Sequence, residues 1–385
     1  SILLQALEKN PLDIHYWHQL SRTYASYKDM KSALEPAVKA YEIMKEQKLD
    51  PSECPYVHTN LSYLYLMNEE LAKSIEIAKE GLAVQEDLLD LWFYLAKAQM
   101  ATKQAEEAIQ SYRKYMHYAD LYEQNAGRDV RVISYMLTGR EEAWFDLSVL
   151  YKETGRDAEA MEAFWEIKSA GMLRKATPHG VALALDSKDY DFLKEFYTKI
   201  KTLDDQRLKD YFYQVLEEVL LRRKAEREAV ARIFREEDTE YGLLNRVRLL
   251  GGSEIIDAGV LEAVGKLPLN ELDSYYGDIF YFILKGKRPL DLIDLHIYEE
   301  NLEAFFQYLD MKYRELSTVY YEYLQACPDE YSQEELRIIK IEELRVIKIM
   351  ERNLLLGGSL EDGQYEWVLG RYIEDGAAYI RQIYH

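Results

Sequence analysis

Cysteine, proline and glycine are all scarce. The two cysteines, Cys54 and Cys327, each stand directly before a proline and far apart in the chain. Their placement fits neither a disulfide framework nor a metal-binding cluster, and the expectation is a reducing, cytoplasmic setting. Eight prolines and eighteen glycines in 385 residues leave few breaks. That favours helices, whose interiors both residues disrupt. No run of about 18 apolar residues is present to span a bilayer, and the N-terminus lacks the charged, apolar and small-residue series of a signal peptide. Positive charge is short too: 48 basic against 69 acidic residues give a formal charge of −21. Such a chain repels phosphate backbones, so no nucleic-acid partner is expected. Its densest basic stretch, Arg222, Arg223, Lys224 and Arg227, is interleaved with Glu226 and followed by Glu236, Glu237 and Asp238. It reads as the solvated face of a helix.

Signatures of catalysis are missing as well. The seven histidines do not fall at zinc-binding spacings such as HExxH. No GxSxG elbow occurs, and the paired glycines lack the lysine of a phosphate-binding loop. Asp189-Tyr190-Asp191 has the spacing that can hold a metal–diphosphate complex, but it opens an expected helix, where aspartates cap free amides. His15 and His18 flank Trp17 near one helix face, a groove-lining or surface position. Hence no catalytic residue, metal site or cofactor is expected.

What is present is a repeat. Trp17, Leu20, Ser21 and Tyr24, then Ala33, Ala37 and Ala40, place a large residue, a leucine, a small residue and a tyrosine on one helix and small residues on the next. The pattern returns as His58, Leu61, Ser62 and Tyr65 with Ser74, Ala78 and Gly81. A third copy has Trp92, Leu95 and Ala96 with Ala108, Tyr112 and Tyr115. The fourth has Trp144, Leu147, Ser148 and Tyr151, a Gly155 turn, then Ala160 and Phe164. This is the tetratricopeptide signature, in which small positions let paired helices approach and large ones fill the gap between layers. The anchors at 17, 58, 92 and 144 lie 41, 34 and 52 residues apart. The long last interval carries an insert around Tyr118 to Gly139, read as an extended helix, a loop through Asn125, Gly127 and Asp129, and a short connector.

Beyond about Gly171 the signature fades while helical periodicity continues, in the stripes Tyr190, Leu193, Phe196, Tyr197, Ile200 and Leu208, Tyr211, Phe212, Val215, Leu216, Val219. Two breaks, Leu250-Gly251-Gly252-Ser253 and Leu356-Gly357-Gly358-Ser359, read as glycine helix ends followed by serine N-caps. Glu334–Ile341 is nearly duplicated as Glu342–Ile349, which predicts a long buried helix. Most of the 33 tyrosines, Tyr320, Tyr321 and Tyr323 among them, are expected in helix interfaces. The chain is therefore expected to be all-α: a tetratricopeptide solenoid over residues 1–170 and a divergent helical region over 171–385.

The order of these features resembles the repeat-bearing C-terminal region of bacterial family 2 glycosyltransferases of the protein- or flagellin-modifying type. LLQALEKNPLDIHYWHQLSRTY is similar to the segment after their catalytic domain, and EEAWFDLSVLYKETGRDAEAMEAF to their last clear repeat. YYGDIFYFILKG and RYIEDGAAYIRQIYH are similar in kind to their helical tail. The resemblance implies a non-catalytic portion, or a stand-alone descendant of it, since the nucleotide-sugar-binding domain is not among these residues; a chain starting at Ser1 is expected to be either a trimmed piece or the downstream part of something longer. A free-standing peptide-sensing regulator is the alternative.

On each first helix, positions one, two and five after the anchor are expected to line a concave groove. These are His18, Gln19 and Arg22; Thr59, Asn60 and Tyr63; Phe93, Tyr94 and Lys97; and Phe145, Asp146 and Val149. Of them His18, Arg22, Asn60, Tyr63, Phe93 and Lys97 form the candidate binding site for a protein or peptide, and a homo-oligomer is compatible with the pattern. Arg22, Asn60 and Lys97 are expected exposed, and Trp92 and Trp144 buried between layers.

Overall fold

The structure, a computed structural model, describes residues 2–124, 136–250, 258–286, 296–326, 341–357 and 360–384. Among them are twenty α-helices and no strand. The chain divides into two compact units, Ser1–Ser187 and Lys188–His385.

The N-terminal unit opens with α1 (Ile2–Lys9) and continues as four antiparallel helix pairs: α2 (Ile14–Ser26) with α3 (Met30–Glu46), α4 (Pro55–Met67) with α5 (Leu71–Val84), α6 (Leu89–Ala101) with α7 (Ala105–Gln124), and α8 (Arg140–Glu153) with α9 (Asp157–Trp165). These are the four repeats of the sequence, and α10 (Ala170–Ser187) packs on the last of them. The fold is a tetratricopeptide-type α-solenoid. The small residues inside each pair do more than make room. Ser21 Oγ donates to the Ala33 carbonyl at 2.8 Å, Ser62 Oγ to that of Ser74 at 3.2 Å, and Ser148 Oγ to that of Ala160 at 2.7 Å. In the third pair, where the small residue is Ala96, Ser111 Oγ reaches Gln99 Oε1 at 2.7 Å instead. Every one of these bonds spans 12 residues.

Each turn inside a pair also ends on a left-handed residue, at Lys28, Glu69, Lys103 and Gly155, with φ of 61°, 62°, 60° and 75°. Three of the four are not glycine, so tertiary packing outweighs a local penalty of about 1–2 kcal/mol at each. Aspartates cap helix starts: Asp13 accepts from the His15 and Tyr16 amides, and Asp29 from that of Ser32. These caps account for part of the acidic excess.

The anchor tryptophans depart from expectation. Trp92 and Trp144 are half-buried, and the Trp92 indole N–H donates to the Glu86 carbonyl at 2.7 Å, as Trp17 does to Pro11 at 2.8 Å. The ring ties the helix to its preceding loop while keeping one edge at the surface, as suits a side chain with a polar handle. In the insert, α7 extends to Gln124 as expected, and a short turn occupies Met136–Gly139. The expected loop through Asn125, Gly127 and Asp129 lies outside the described residues.

The C-terminal unit comprises α11 (Tyr190–Thr202), α12 (Gln206–Arg222), α13 (Arg227–Phe234), α14 (Glu240–Leu250), α15 (Ala258–Val264), α16 (Asp278–Lys285), α17 (Glu299–Lys312), α18 (Leu316–Ala326), α19 (Ile341–Gly357) and α20 (Asp362–Tyr384). Both expected stripes face its core, which holds interleaved rings of Phe196, Tyr197, Phe212, Tyr213, Phe234 and Tyr241. Asp189 accepts from the Phe192 amide at 2.9 Å as the cap of α11, which accounts for the Asp-x-Asp spacing. Tyr320 and Tyr323 are buried, and the half-buried Tyr321 ring meets Trp367. The second copy of the duplicated segment lies on α19 with Leu344, Val346, Ile347 and Ile349 buried. Cys327, the first copy up to Lys340, and the glycines at 251, 252 and 358 lie outside the described residues.

The basic stretch is corrected. It is not one helix face: Arg222 ends α12, a 3-10 turn spans Lys224–Glu226, and Arg227 opens α13. Arg227 turns inward and donates to the carbonyls of Leu220, Leu221 and Lys312 at 2.9, 2.8 and 3.3 Å.

Candidate binding groove of the N-terminal unit

The first helices of three consecutive pairs, α2, α4 and α6, together with Tyr122 of α7 and Met136, enclose a cavity of about 690 Å³. Because residues three or four apart on a helix recur on one face, α2 presents His15, His18, Gln19 and Arg22, and α4 presents Tyr56, Thr59, Asn60 and Tyr63. From α6 come Leu89, Asp90 and Tyr94. The walls are aromatic: Tyr56 lies 4.6 Å from the His18 ring, and Tyr63 lies 5.3 Å from Tyr94 between centroids. Polar groups are set among them. Asn60 Nδ2 donates to Ser21 Oγ at 2.9 Å, which fixes the amide plane against the neighbouring pair. Burial, with Arg22 and the His15 ring nearby, pulls His18 down to about 4. It is therefore a neutral ring at neutral pH.

The structure thus brings His18, Arg22, Asn60 and Tyr63 into one cavity and places Phe93 and Lys97 elsewhere. Phe93 is buried against the rings of Tyr112 and Tyr115. The turn after the insert covers it: a methyl group added at Gly139 would lie 3.2 Å from the Phe93 ring. That turn is clipped down by Tyr115, which donates to the Met136 carbonyl at 2.6 Å, and by Asp90, which accepts from the Met136 amide at 3.1 Å. Lys97 is not freely exposed. Its Nζ pairs with Asp146 at 2.6 Å and Glu142 at 2.7 Å, while Tyr112 donates to the same Asp146. Burial opposes the ammonium, but the two carboxylates outweigh it and raise the Lys97 pKa.

Sequence spacing missed Tyr56, Asp90 and Leu89, which lie two or three residues before each anchor; the matching place on α2 is His15, a signal that was available. Among the described residues no helix is long and apolar enough to cross a membrane, and no group of three His, Cys, Asp or Glu side chains could hold a metal ion.

No family model matches the chain, and no curated protein does. Among solved structures, YrrB, described as a TPR protein with an unusual peptide-binding site, is 16% identical with a TM-score of 0.38, over 54% of this chain and 96% of that one. A tetratricopeptide repeat protein from Parabacteroides merdae is 13% identical with a TM-score of 0.32, over 92% and 97%. Yeast Tom70 is 13% identical with a TM-score of 0.23, over 96% of each chain. At these TM-scores the fold assignment rests on the chain's own four helix pairs, each closed by the same turn and the same cross-pair hydrogen-bond spacing.

Proposed function

We propose that the N-terminal unit is a protein-interaction module whose groove holds an extended peptide segment. The observation that carries the reading is one cavity lined by three successive first helices, with tyrosine rings on its walls and Gln19, Arg22 and Asn60 among them. Rings take up apolar side chains, while an amide both donates to and accepts from a peptide backbone. A groove preformed on rigid helices avoids much of the ordering cost of binding. Selection of displayed decapeptides on the whole chain, followed by counter-selection with Asn60→Ala/Tyr63→Ala, tests it. Peptides that bind the native chain and lose at least tenfold in affinity with the variant are expected; failure to select any peptide sinks the reading.

The sequence resemblance supports the acceptor protein, or a second subunit, of a bacterial protein-modifying glycosyltransferase as the source of that segment. A peptide signal read by a free-standing regulator is the second reading. The genomic reading frame upstream of Ser1 separates them: a nucleotide-sugar-binding domain there supports the first, and an effector segment the second.

A further inference from the structure

A second cavity, of about 380 Å³, lies wholly within the C-terminal unit, a size suited to one small molecule. Behind it is a buried polar cluster. Arg248 grips Glu217 with Nη1 at 2.7 Å and Nη2 at 2.8 Å, and its Nε donates to Asp278 Oδ2 at 2.6 Å. Lys312 Nζ reaches the same Oδ2 at 2.7 Å. These two cations and two carboxylates cancel in formal charge. Asp278 is fully buried and lines the cavity, yet its Oδ1 has no hydrogen-bond partner. An oxygen so placed is costly until a donor meets it.

One wall is a column of cations and rings. Tyr281 and Tyr313 stack at 3.7 Å and 4°, Arg227 lies 5.4 Å from the Tyr313 centroid, and Lys285 lies 5.8 Å from that of Tyr281. Neither Arg227 nor Lys285 is ion-paired among the described residues, since Arg227 spends its bonds on main-chain carbonyls. Two carboxylates also line the cavity, but both are engaged: Glu315 accepts from Tyr281 and pairs with Lys224, each at 3.3 Å, and Glu228 pairs with Arg232 at 2.5 Å. Arg227 and Lys285 are thus left as cations without a carboxylate among the described residues, while Asp278 Oδ1 on the floor lacks a donor. Because the charges behind the floor cancel, a neutral hydroxyl suits Asp278 Oδ1 better than an ammonium brought beside Arg248 and Lys312. The chain's charge of −21 disfavours a polyanion.

We infer that this cavity binds a small hydroxylated anion, with a ligand hydroxyl donating to Asp278 and a carboxylate or phosphate drawn to the side of the cavity that carries the charges of Arg227 and Lys285. Thermal melting and calorimetry of the whole chain at fixed ionic strength, with glucose 6-phosphate, gluconate, glucose and inorganic phosphate as probes, test it. Glucose 6-phosphate, gluconate or both should raise Tm by several degrees, the difference between them showing which anion is preferred; neutral glucose and inorganic phosphate should do so at least tenfold less effectively. Arg227→Gln should abolish the response. Lys285→Gln, at an exposed position that cannot unsettle the core, should weaken it about tenfold, the worth of roughly one ion pair. No shift with any probe, an equal shift with inorganic phosphate alone, or an undiminished response in Lys285→Gln would overturn the inference.

Discussion

Replacing Arg248 with methionine keeps much of the side-chain volume and removes one charge from the buried cluster of the C-terminal unit. The guanidinium makes three charge-assisted bonds, two to Glu217 and one to Asp278, and its side chain is only 9% exposed. Burial by itself would push the Glu217 carboxyl up, but Arg248 and Lys312 hold it down to about 2, so it enters the core charged. Without Arg248, Lys312 alone faces two buried carboxylates. Breaking a buried pair from one side costs about 3–5 kcal/mol, because the orphaned charge is worse than the lost attraction. Arg248→Met should therefore lower unfolding free energy by that amount in urea titrations followed by circular dichroism, with lost hydrogen-exchange protection centred on α12, α14 and α17. Glu217→Gln in the same background removes the orphan, so the double variant should be less damaged than the sum of the singles by at least about 2 kcal/mol. A loss below about 1 kcal/mol for Arg248→Met, or additivity within about 0.5 kcal/mol, would refute the reasoning.

Lys97→Ala should cost about 2 kcal/mol in chemical denaturation rather than the few tenths of a surface change, because it leaves the buried Asp146 with Tyr112 but no cation. Gly155→Ala places a side chain at φ 75° with no neighbour to blame, so a loss of about 1 kcal/mol measures the backbone alone; the reciprocal Lys103→Gly should stay within about 0.5 kcal/mol of the parent. Both His18 and His179 are pulled from 6.5 to about 4, chiefly by burial. Their folded pKa values lie below the unfolded ones, so this stabilisation is full above about pH 6.5 and is lost as pH falls toward 4. The loss reaches up to about 3 kcal/mol for His18 and less for the half-buried His179. Tm measured from pH 7.5 to 4.5 should fall less steeply in His18→Gln than in the native chain, and identical slopes would rule out the assignment.

The helix pairs were legible because each of their packing positions is set by local spacing: Leu20, Leu61, Leu95 and Leu147 are all buried where the repeat expects them. Half of the groove was legible for the same reason. The rest was not, because Phe93 and Lys97 occupy the right helical face and are then claimed by others: Phe93 by the rings of α7 and the turn at Met136–Gly139, and Lys97 by the carboxylates of α8. Periodicity records which way a side chain leaves its helix and nothing about what meets it. Glu217 sits next to the apolar stripe of α12, and its partners lie 31 residues away at Arg248 and 95 away at Lys312. Arg227 was hidden in a run of like charges that a helix break divides.

The twelve-residue hydrogen-bond spacing inside each pair works as a ruler. It fixes where the second helix must begin relative to the first, whatever the intervening turn contains. The variation in repeat length, from 34 to 52 residues, falls beyond that measured hairpin turn, in second helices of 17, 14 and 20 residues and in the junctions that follow them. A chain that measures its hairpins strictly and couples them loosely can accept new sequence at a junction without retuning the hairpins on either side. In this chain one such addition has been turned to use, since the segment that follows it caps Phe93, recruits Asp90 and finishes the wall of the groove.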